Sequence, residues 1–151
     1  MSSEKIYVTP GGLHIDDRGQ LSVVHLPFAD IKRCYVVSNH KTRFVRAWHY
    51  HKNESKWITV LHGAALVAAV KIKRLDLPPA ERADGVVQKV VLSAADPSVA
   101  WIPPGYANGA MTLTPGTKIM YFSDRTVEES RHDDVRLPAD WWPGTWTVEQ
   151  R

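Results

Sequence analysis

The sequence has very little cysteine, with Cys34 as the single thiol in 151 residues. A disulfide within the chain is therefore excluded, and such a composition is typical of a reducing compartment. Cys34 falls in the apolar run CYVV, which predicts a buried structural thiol rather than a nucleophile. The first residues, MSSEKIYVTP, have no apolar segment of the signal-peptide kind, so we expect a cytoplasmic protein.

Long apolar runs and long basic runs are also missing. No apolar stretch has the length of a transmembrane helix, so a membrane partner is not expected. The formal net charge is +3, but the longest basic cluster is only Lys71, Lys73 and Arg74. Nucleic-acid binding usually requires a basic stripe or tail, so the charge suits either a small anionic ligand or solubility alone.

No internal repeat, low-complexity tract or linker divides the chain. Hydrophobic residues make up 44% and charged residues 23% of the sequence, which is ordinary for a folded globular protein. We therefore predict one domain over residues 1–151.

Short runs rich in β-branched and aromatic residues recur along the chain, including RCYVVS, FVRAWHYH, KWITVLH and KIMYF. Turn signals such as PGG, DDRG and PPG separate them, a pattern typical of an antiparallel sandwich or barrel. We expect a tight hairpin at Gly63, joining KWITVLH to ALVAAV. No helix is expected before residue 126, and about one helical turn after it.

The stretch RAWHYHKNESKW, residues 46–57, has the chemistry of a strand facing a wet cavity. Strand alternation places His49 and His51 on one face. Such a pair is compatible with general-base chemistry or with the His-x-His metal site of many cupins, with Glu54 as a third ligand. Asn108 in PPGYANG stands where metal cupins have a further histidine, and an amide is a poor ligand for zinc or iron. We therefore predict no metal and no cofactor, while His51 as a simple cavity-wall residue stays open.

Several segments, taken in order, resemble the dTDP-4-dehydrorhamnose 3,5-epimerase family. They are DDRGQL, RAWHYH, SKWITVLHG, VVLSAADPSVAWIPPGYANGAMTL, KIMYFSDRT and RHDDVRLPADWWP. The resemblance covers nearly the whole chain and implies an all-β, double-stranded β-helix (cupin) jelly roll that forms a homodimer. It further implies an epimerase that inverts carbons beside the ketone of a 4-keto-6-deoxy nucleotide-sugar, with a dTDP-linked substrate, in deoxysugar biosynthesis.

The resemblance also implies roles for individual residues. His49 matches the catalytic base, and Asp134, or alternatively Asp133, matches the carboxylate that orients it. Lys56 matches the lysine beside the keto oxygen, and Tyr121 matches the acid on the opposite face of the sugar. These types suit the reaction, because a neutral imidazole can remove the proton, an ammonium can stabilise the enolate, and a phenol can return a proton.

Arg46 matches an arginine that contacts the nucleotide diphosphate. Strict alternation would place Arg46 away from His49, so this match requires a bulge between them. We predict that the substrate-binding residues are Arg46, His51, Asn108, Asn39, Arg18 and Lys71.

The chain departs from the family at several pocket positions. Asn108 replaces the usual histidine, Lys71 stands where an aspartate is common, and Val23 stands where an acidic residue is expected. The tyrosine pair expected near residues 125–127 is absent. These changes favour a different nucleotide-sugar, or inversion at one centre only.

Two alternatives remain. Sugar-nucleotide 3,4-ketoisomerases have an arginine followed by His-x-His-Lys, and RAWHYHK fits that pattern, with His49 and His51 both carrying protons. A non-catalytic cupin that binds a sugar nucleotide is the third possibility, because a fold does not fix a function.

Overall fold

The computed structural model describes residues 6–151, and strands form most of the regular structure in this range. The described residues contain twelve strands and two short helices. The strands are β1 (Tyr7–Pro10), β2 (Gly12–Asp16), β3 (Gly19–Val23), β4 (Arg33–Ser38), β5 (Val45–His51), β6 (Lys56–His62), β7 (Ala64–Lys71), β8 (Gln88–Ser93), β9 (Ser98–Ile102), β10 (Tyr106–Thr112), β11 (Lys118–Ser123) and β12 (Val135–Arg136). The helices are α1 (Pro79–Arg82) and α2 (Val127–Arg131). Residues 6–151 include no helix with the length and apolar character needed to cross a membrane.

Ten strands form two antiparallel sheets of five. Sheet I has the order β1-β9-β6-β11-β4, and sheet II has the order β12-β5-β10-β7-β8. The remaining two strands, β2 and β3, form a separate hairpin. This arrangement confirms the predicted all-β jelly roll of the cupin type.

The main core lies between the two sheets, and a second cluster lies on the outer face of sheet II. The main core takes buried side chains from both sheets, among them Ile58, Ile119, Val67 and Leu92. In the outer cluster, fully buried Trp48 packs against aromatic residues of the C-terminal segment, with ring-centroid distances of 5.0 Å to Trp142 and 5.2 Å to Trp146. Packing on both faces therefore holds β5 in place.

Strand β4 shows how alternation assigns residues to the two faces of sheet I. Arg33, Tyr35 and Val37 point inward and are partly buried, whereas Cys34 and Val36 point outward and are exposed. The prediction that Cys34 is buried is therefore wrong. An apolar run indicates a strand, but β4 lies at the edge of sheet I with its outer face uncovered.

The predicted hairpin at Gly63 is also wrong. Strand β6 pairs with β9 and β11 in sheet I, whereas β7 pairs with β8 and β10 in sheet II. Gly63, with φ 76°, is instead the corner at which the chain crosses between the sheets. A Cβ atom there would lie 2.4 Å from the hydroxyls of Thr114 and Thr117, so the corner has no room for a side chain.

Helix α2 is the predicted turn of helix after residue 126, whereas the four-residue α1 lies where no helix is expected, so that part of the prediction is wrong. Its N-cap, Thr126, accepts a hydrogen bond from the amide of Glu129, whose side chain accepts one from the Thr126 amide. This capping box fixes the start of α2. Because Ser130 lies in α2 and residues 133–134 follow it, the cap also helps to position part of the candidate site.

Candidate active site

A cavity of about 250 Å³ opens between the two sheets. Polar and charged side chains dominate its lining, which consists of Arg33, Tyr35, Val37, Arg46, His49, His51, Lys56, Asn108, Gly109, Tyr121, Ser130, Asp134 and Arg136. A larger groove of about 600 Å³ lies beside β8 and the C-terminal residues, but it contains none of the predicted site residues. We therefore take the smaller cavity as the candidate active site.

Strand β5 supplies three of the predicted residues because it contains a bulge. Asn108 of β10 lies opposite His49, and Ala110 lies opposite Arg46, so two steps along β10 match three along β5. The extra residue brings Arg46 to the same cavity as His49 and His51, as the predicted bulge requires. Gly109 permits the close approach, since a Cβ there would lie 2.5 Å from that of Ala47.

The predicted base and acid come from opposite sheets. His49 lies on β5 in sheet II, whereas Tyr121 lies on β11 and Lys56 begins β6, both in sheet I. All three side chains line the cavity, so His49 faces Tyr121 and Lys56 across it. This confirms the prediction that the three residues share one cavity.

Three predicted substrate-binding residues lie outside the lining. Asn39 is close to it and accepts a hydrogen bond from Arg46 Nε at 2.7 Å, so Asn39 orients that guanidinium. Arg18 pairs with Asp16 on the exposed β2–β3 hairpin, with 2.5 Å between Nη2 and Oδ2. Lys71 is the last residue of β7, and its Nζ lies 3.5 Å from Asp84 Oδ2. The cavity of a single chain therefore does not include Arg18 or Lys71.

Four polar lining residues were not predicted from the sequence, namely Arg33, Tyr35, Ser130 and Arg136. Alternation in RCYVVS could have placed Arg33 and Tyr35 on one face of β4. Arg136 belongs to the two-residue strand β12, where it lies opposite His49. Such a short strand has no recognisable pattern in the sequence.

Burial controls the ionisation of the three central groups. It is the main cause that lowers the pKa of His49 to about 4, and the nearby charge of Lys56 lowers it further. Burial also lowers the pKa of the Lys56 ammonium. The pKa of Tyr121 is raised by burial and by neighbouring Tyr35, whose ring stacks on it at 5.0 Å. At neutral pH the cavity therefore holds a neutral imidazole opposite a protonated phenol.

The two aspartates considered as the orienting carboxylate have different surroundings. Asp133 accepts hydrogen bonds from the amides of Lys52 and Asn53, at 3.0 and 2.7 Å, and so holds the turn after β5. Asp134 lines the cavity, where it accepts a hydrogen bond from Arg136 Nε at 3.1 Å. Its negative charge favours the protonated form of His49.

Both carboxylate oxygens of Glu54, the possible third metal ligand, already accept hydrogen bonds. One carboxylate oxygen accepts hydrogen bonds from Arg33 and Ser123, and the other accepts one from Ser130. Asn108 likewise uses its amide group to donate to the His49 carbonyl oxygen at 3.2 Å. Within residues 6–151, no group of three or more His, Cys, Asp or Glu side chains is arranged to hold a metal ion.

A titration of the histidine rings should detect the unusual state of His49. Because burial and Lys56 disfavour the imidazolium, we expect its NMR signals to titrate near pH 4, well below the ordinary value of about 6.5. Exposed His25 and His132 provide signals for comparison in the same sample. A His49 midpoint between pH 6 and 7 would contradict this view of the cavity.

These residues together suit proton transfer at a carbon beside a carbonyl group. A neutral imidazole can accept the proton, and an ammonium can stabilise the oxyanion that forms. A phenol from the opposite sheet can deliver a proton to the other face of the carbon.

Comparison with known proteins agrees with this chemistry. Residues 17–149 match the family model described as dTDP-4-dehydrorhamnose 3,5-epimerase. No curated protein matches the sequence.

Solved structures share the fold at low sequence identity. The dTDP-4-dehydrorhamnose 3,5-epimerase of Bacillus anthracis, solved with TDP and PPi, is 23% identical over 99% of this chain and 89% of its own, with a TM-score of 0.79. A 3'-monoepimerase from Streptomyces bikiniensis, solved with dTDP-quinovose, is 16% identical over 92% and 72%, with a TM-score of 0.72. A sugar 3,4-ketoisomerase from Thermoanaerobacterium thermosaccharolyticum, solved with TDP, is 20% identical over 91% and 90%, with a TM-score of 0.68.

Proposed function

Since this chain belongs to the dTDP-4-dehydrorhamnose 3,5-epimerase family, we propose that it inverts one or both carbons beside the ketone of a 4-keto-6-deoxy nucleotide-sugar. The observation that carries the proposal is the placement of His49 and Tyr121 on opposite sides of one cavity, with Lys56 beside them. Inversion needs two proton-transfer groups, one on each face of the reacting carbon.

In the proposed mechanism, neutral His49 removes the proton from the carbon beside the ketone. The electrons of the broken C–H bond move to the keto oxygen, where the charge of Lys56 stabilises the enolate. Tyr121 then donates its phenolic proton to the opposite face of the carbon, and the ketone re-forms. Proton exchange with solvent restores His49 and Tyr121 for the next turnover.

Asp134 is the proposed carboxylate partner of this chemistry, in preference to Asp133. Its charge acts on His49, whereas Asp133 is bonded to two backbone amides. An imidazolium that forms in a buried site gains stability from a nearby carboxylate. We therefore assign Asp134 the role of stabilising His49 after proton removal.

The proposed substrate is linked to a nucleoside diphosphate, with dTDP as the first choice. The cavity contains the cationic side chains of Arg33, Arg46 and Arg136, which suit the oxygens of a diphosphate. The relatives solved with TDP or dTDP-quinovose support the choice of nucleotide. His51 and Asn108 are proposed to contact the sugar from the lining.

A homodimer and a cytoplasmic location complete the proposal. The β2–β3 hairpin pairs with no other strand of residues 6–151, and it exposes apolar Ile15 and Leu21, at 72% and 61%. A second copy of the chain is the proposed cover for this surface. Arg18 lies on the same hairpin, so Arg18 of one copy is proposed to contact the substrate bound in the cavity of the other copy. The single cysteine fits the cytoplasm.

A second candidate function is 3,4-ketoisomerisation. It is favoured by one observation, namely that His51 lines the same cavity as His49. In that reaction the carbonyl group moves to the neighbouring carbon, and both histidines carry protons. A cupin that binds a sugar nucleotide without catalysis would retain the cavity but move no proton.

An exchange experiment separates these functions. The protein is incubated in deuterium oxide with TDP-4-keto-6-deoxyglucose, and then with the UDP, GDP and CDP analogues. An epimerase should place deuterium at a carbon flanking the ketone and invert that carbon. Movement of the carbonyl group would identify a ketoisomerase, and binding of all four sugars without exchange would contradict both enzymatic functions.

A further inference from the structure

A buried glutamate connects four structural elements behind the cavity. Glu54 lies in the loop between β5 and β6, and its side chain is 0% exposed. Its Oε1 accepts hydrogen bonds from Arg33 Nη2 on β4, at 3.0 Å, and from Ser123 Oγ on β11, at 2.6 Å. Its Oε2 accepts one from Ser130 Oγ on α2, at 2.8 Å, and lies 3.1 Å from His51 Nδ1 on β5.

The cavity's two histidines differ in their carboxylate neighbours. His51 has Glu54 beside Nδ1, at 3.1 Å, and Asp134 beyond Nε2, at 3.7 Å. The contact with Glu54 is within ion-pair distance, although it lacks the alignment of a hydrogen bond. Among the described residues, no carboxylate forms an ion pair with the His49 ring.

The surroundings of His51 decide where its proton lies. Burial is the main cause that lowers its pKa, and the charge of Lys56 acts in the same direction, so the ring is neutral at pH 7. A neutral imidazole carries one proton, and the nearest carboxylate attracts it to Nδ1. Asp134 is more distant, at 3.7 Å from Nε2, whereas Glu54 lies 3.1 Å from Nδ1. Nε2 is then left with a lone pair.

We infer that Glu54 is a positioning residue that fixes His51 with its proton on Nδ1, so that Nε2 faces the cavity as a hydrogen-bond acceptor for a sugar hydroxyl. The inference rests on the proposed function for the identity of the ligand. It assigns Glu54 a part in substrate specificity, since a site built to accept a hydrogen bond from a hydroxyl discriminates against analogues that lack that hydroxyl.

The first test is the tautomer of His51, read from the ¹⁵N NMR shifts of its ring in the unliganded protein. We expect a protonated Nδ1 and an unprotonated Nε2. The opposite tautomer in the wild type would overturn the inference, and this measurement needs neither substrate nor variant.

The second test is Glu54→Gln. Arg33 and Ser123 both donate to the Oε1 position, so the amide oxygen should remain there and the amide NH₂ should replace Oε2. The NH₂ group would donate to His51 Nδ1 and move the ring proton to Nε2. An unchanged tautomer in the folded variant would contradict the inference. Exposed Glu128 provides the matched control, Glu128→Gln, which should leave the His51 signals as in the wild type.

Binding measurements connect the tautomer to the ligand. We expect Glu54→Gln to weaken binding of dTDP-quinovose about ten-fold, the usual scale for one lost hydrogen bond, while TDP binds as before. In a His51→Asn background the same change should have little further effect, because Glu54 acts through His51. Equal weakening for both ligands would show a general structural role and overturn the inference. A wild type that binds neither ligand would instead contradict the proposed function, and the tautomer would still decide the effect of Glu54.

Discussion

Replacing His49 by alanine is expected to abolish the exchange of substrate C–H protons with solvent deuterium. His49 is the neutral base that faces the cavity from sheet II. Loss of a positioned general base costs about 10²–10⁴ in rate. We expect the upper part of that range, because His51 is proposed to accept a hydrogen bond from a sugar hydroxyl and so does not replace the base. NMR of the substrate in deuterium oxide measures the exchange.

Two controls accompany this prediction. His25→Ala removes an exposed histidine and should leave exchange at the wild-type rate. Binding of TDP to His49→Ala should remain, because the cationic lining is unchanged. Exchange by His49→Ala at the wild-type rate would remove His49 from the role of base, and the proposed epimerase would lose its mechanism.

Replacing Tyr121 by phenylalanine is expected to separate proton removal from inversion. His49 and Lys56 remain, so exchange at the carbon beside the ketone should persist. The inverted product should fall about a hundred-fold or more, since the acid on the opposite face is lost. The ratio of deuterium incorporation to inverted product, measured in one sample, gives the effect directly.

Two other tyrosines make this test specific. Tyr35 stacks on Tyr121 in the cavity, and burial raises its pKa to about 12. Tyr35→Phe should reduce the inverted product much less than Tyr121→Phe does. Tyr7→Phe alters an exposed tyrosine and should have no effect. Loss of inversion in Tyr35→Phe with normal inversion in Tyr121→Phe would transfer the role of acid to Tyr35.

The sequence could predict the parts of the site that depend on alternation within one strand or on the family resemblance. Alternation alone places His49 and His51 on one face of β5, and the family resemblance adds Lys56 and Tyr121 from two other strands. The bulge that brings Arg46 to His49 was required by the resemblance, since alternation by itself predicts the opposite. The positions of these residues could therefore be predicted, while their catalytic roles remain for the variants to test.

Features that depend on strand pairing were not predictable from the chain. Gly63 has the sequence context of a hairpin turn, but the next strand joins the other sheet because β10 and β8 are its pairing partners. Arg136 becomes part of the cavity only through its register with His49. From the sequence, Glu54 has the spacing of a metal ligand. The hydroxyl and guanidinium donors that surround it are distant in sequence, so these contacts could not be predicted.

The exposed position of Cys34 provides a labelling site for measuring how two copies of the chain associate. It is the single thiol in the sequence and lies on the outer face of β4, so a maleimide dye or nitroxide would attach at one defined point per molecule. Two labelled copies that associate through sheet I would bring their probes together, whereas association through the opposite side would keep them apart. Energy transfer or electron–electron dipolar coupling between the probes would therefore report which faces meet, without a single engineered cysteine.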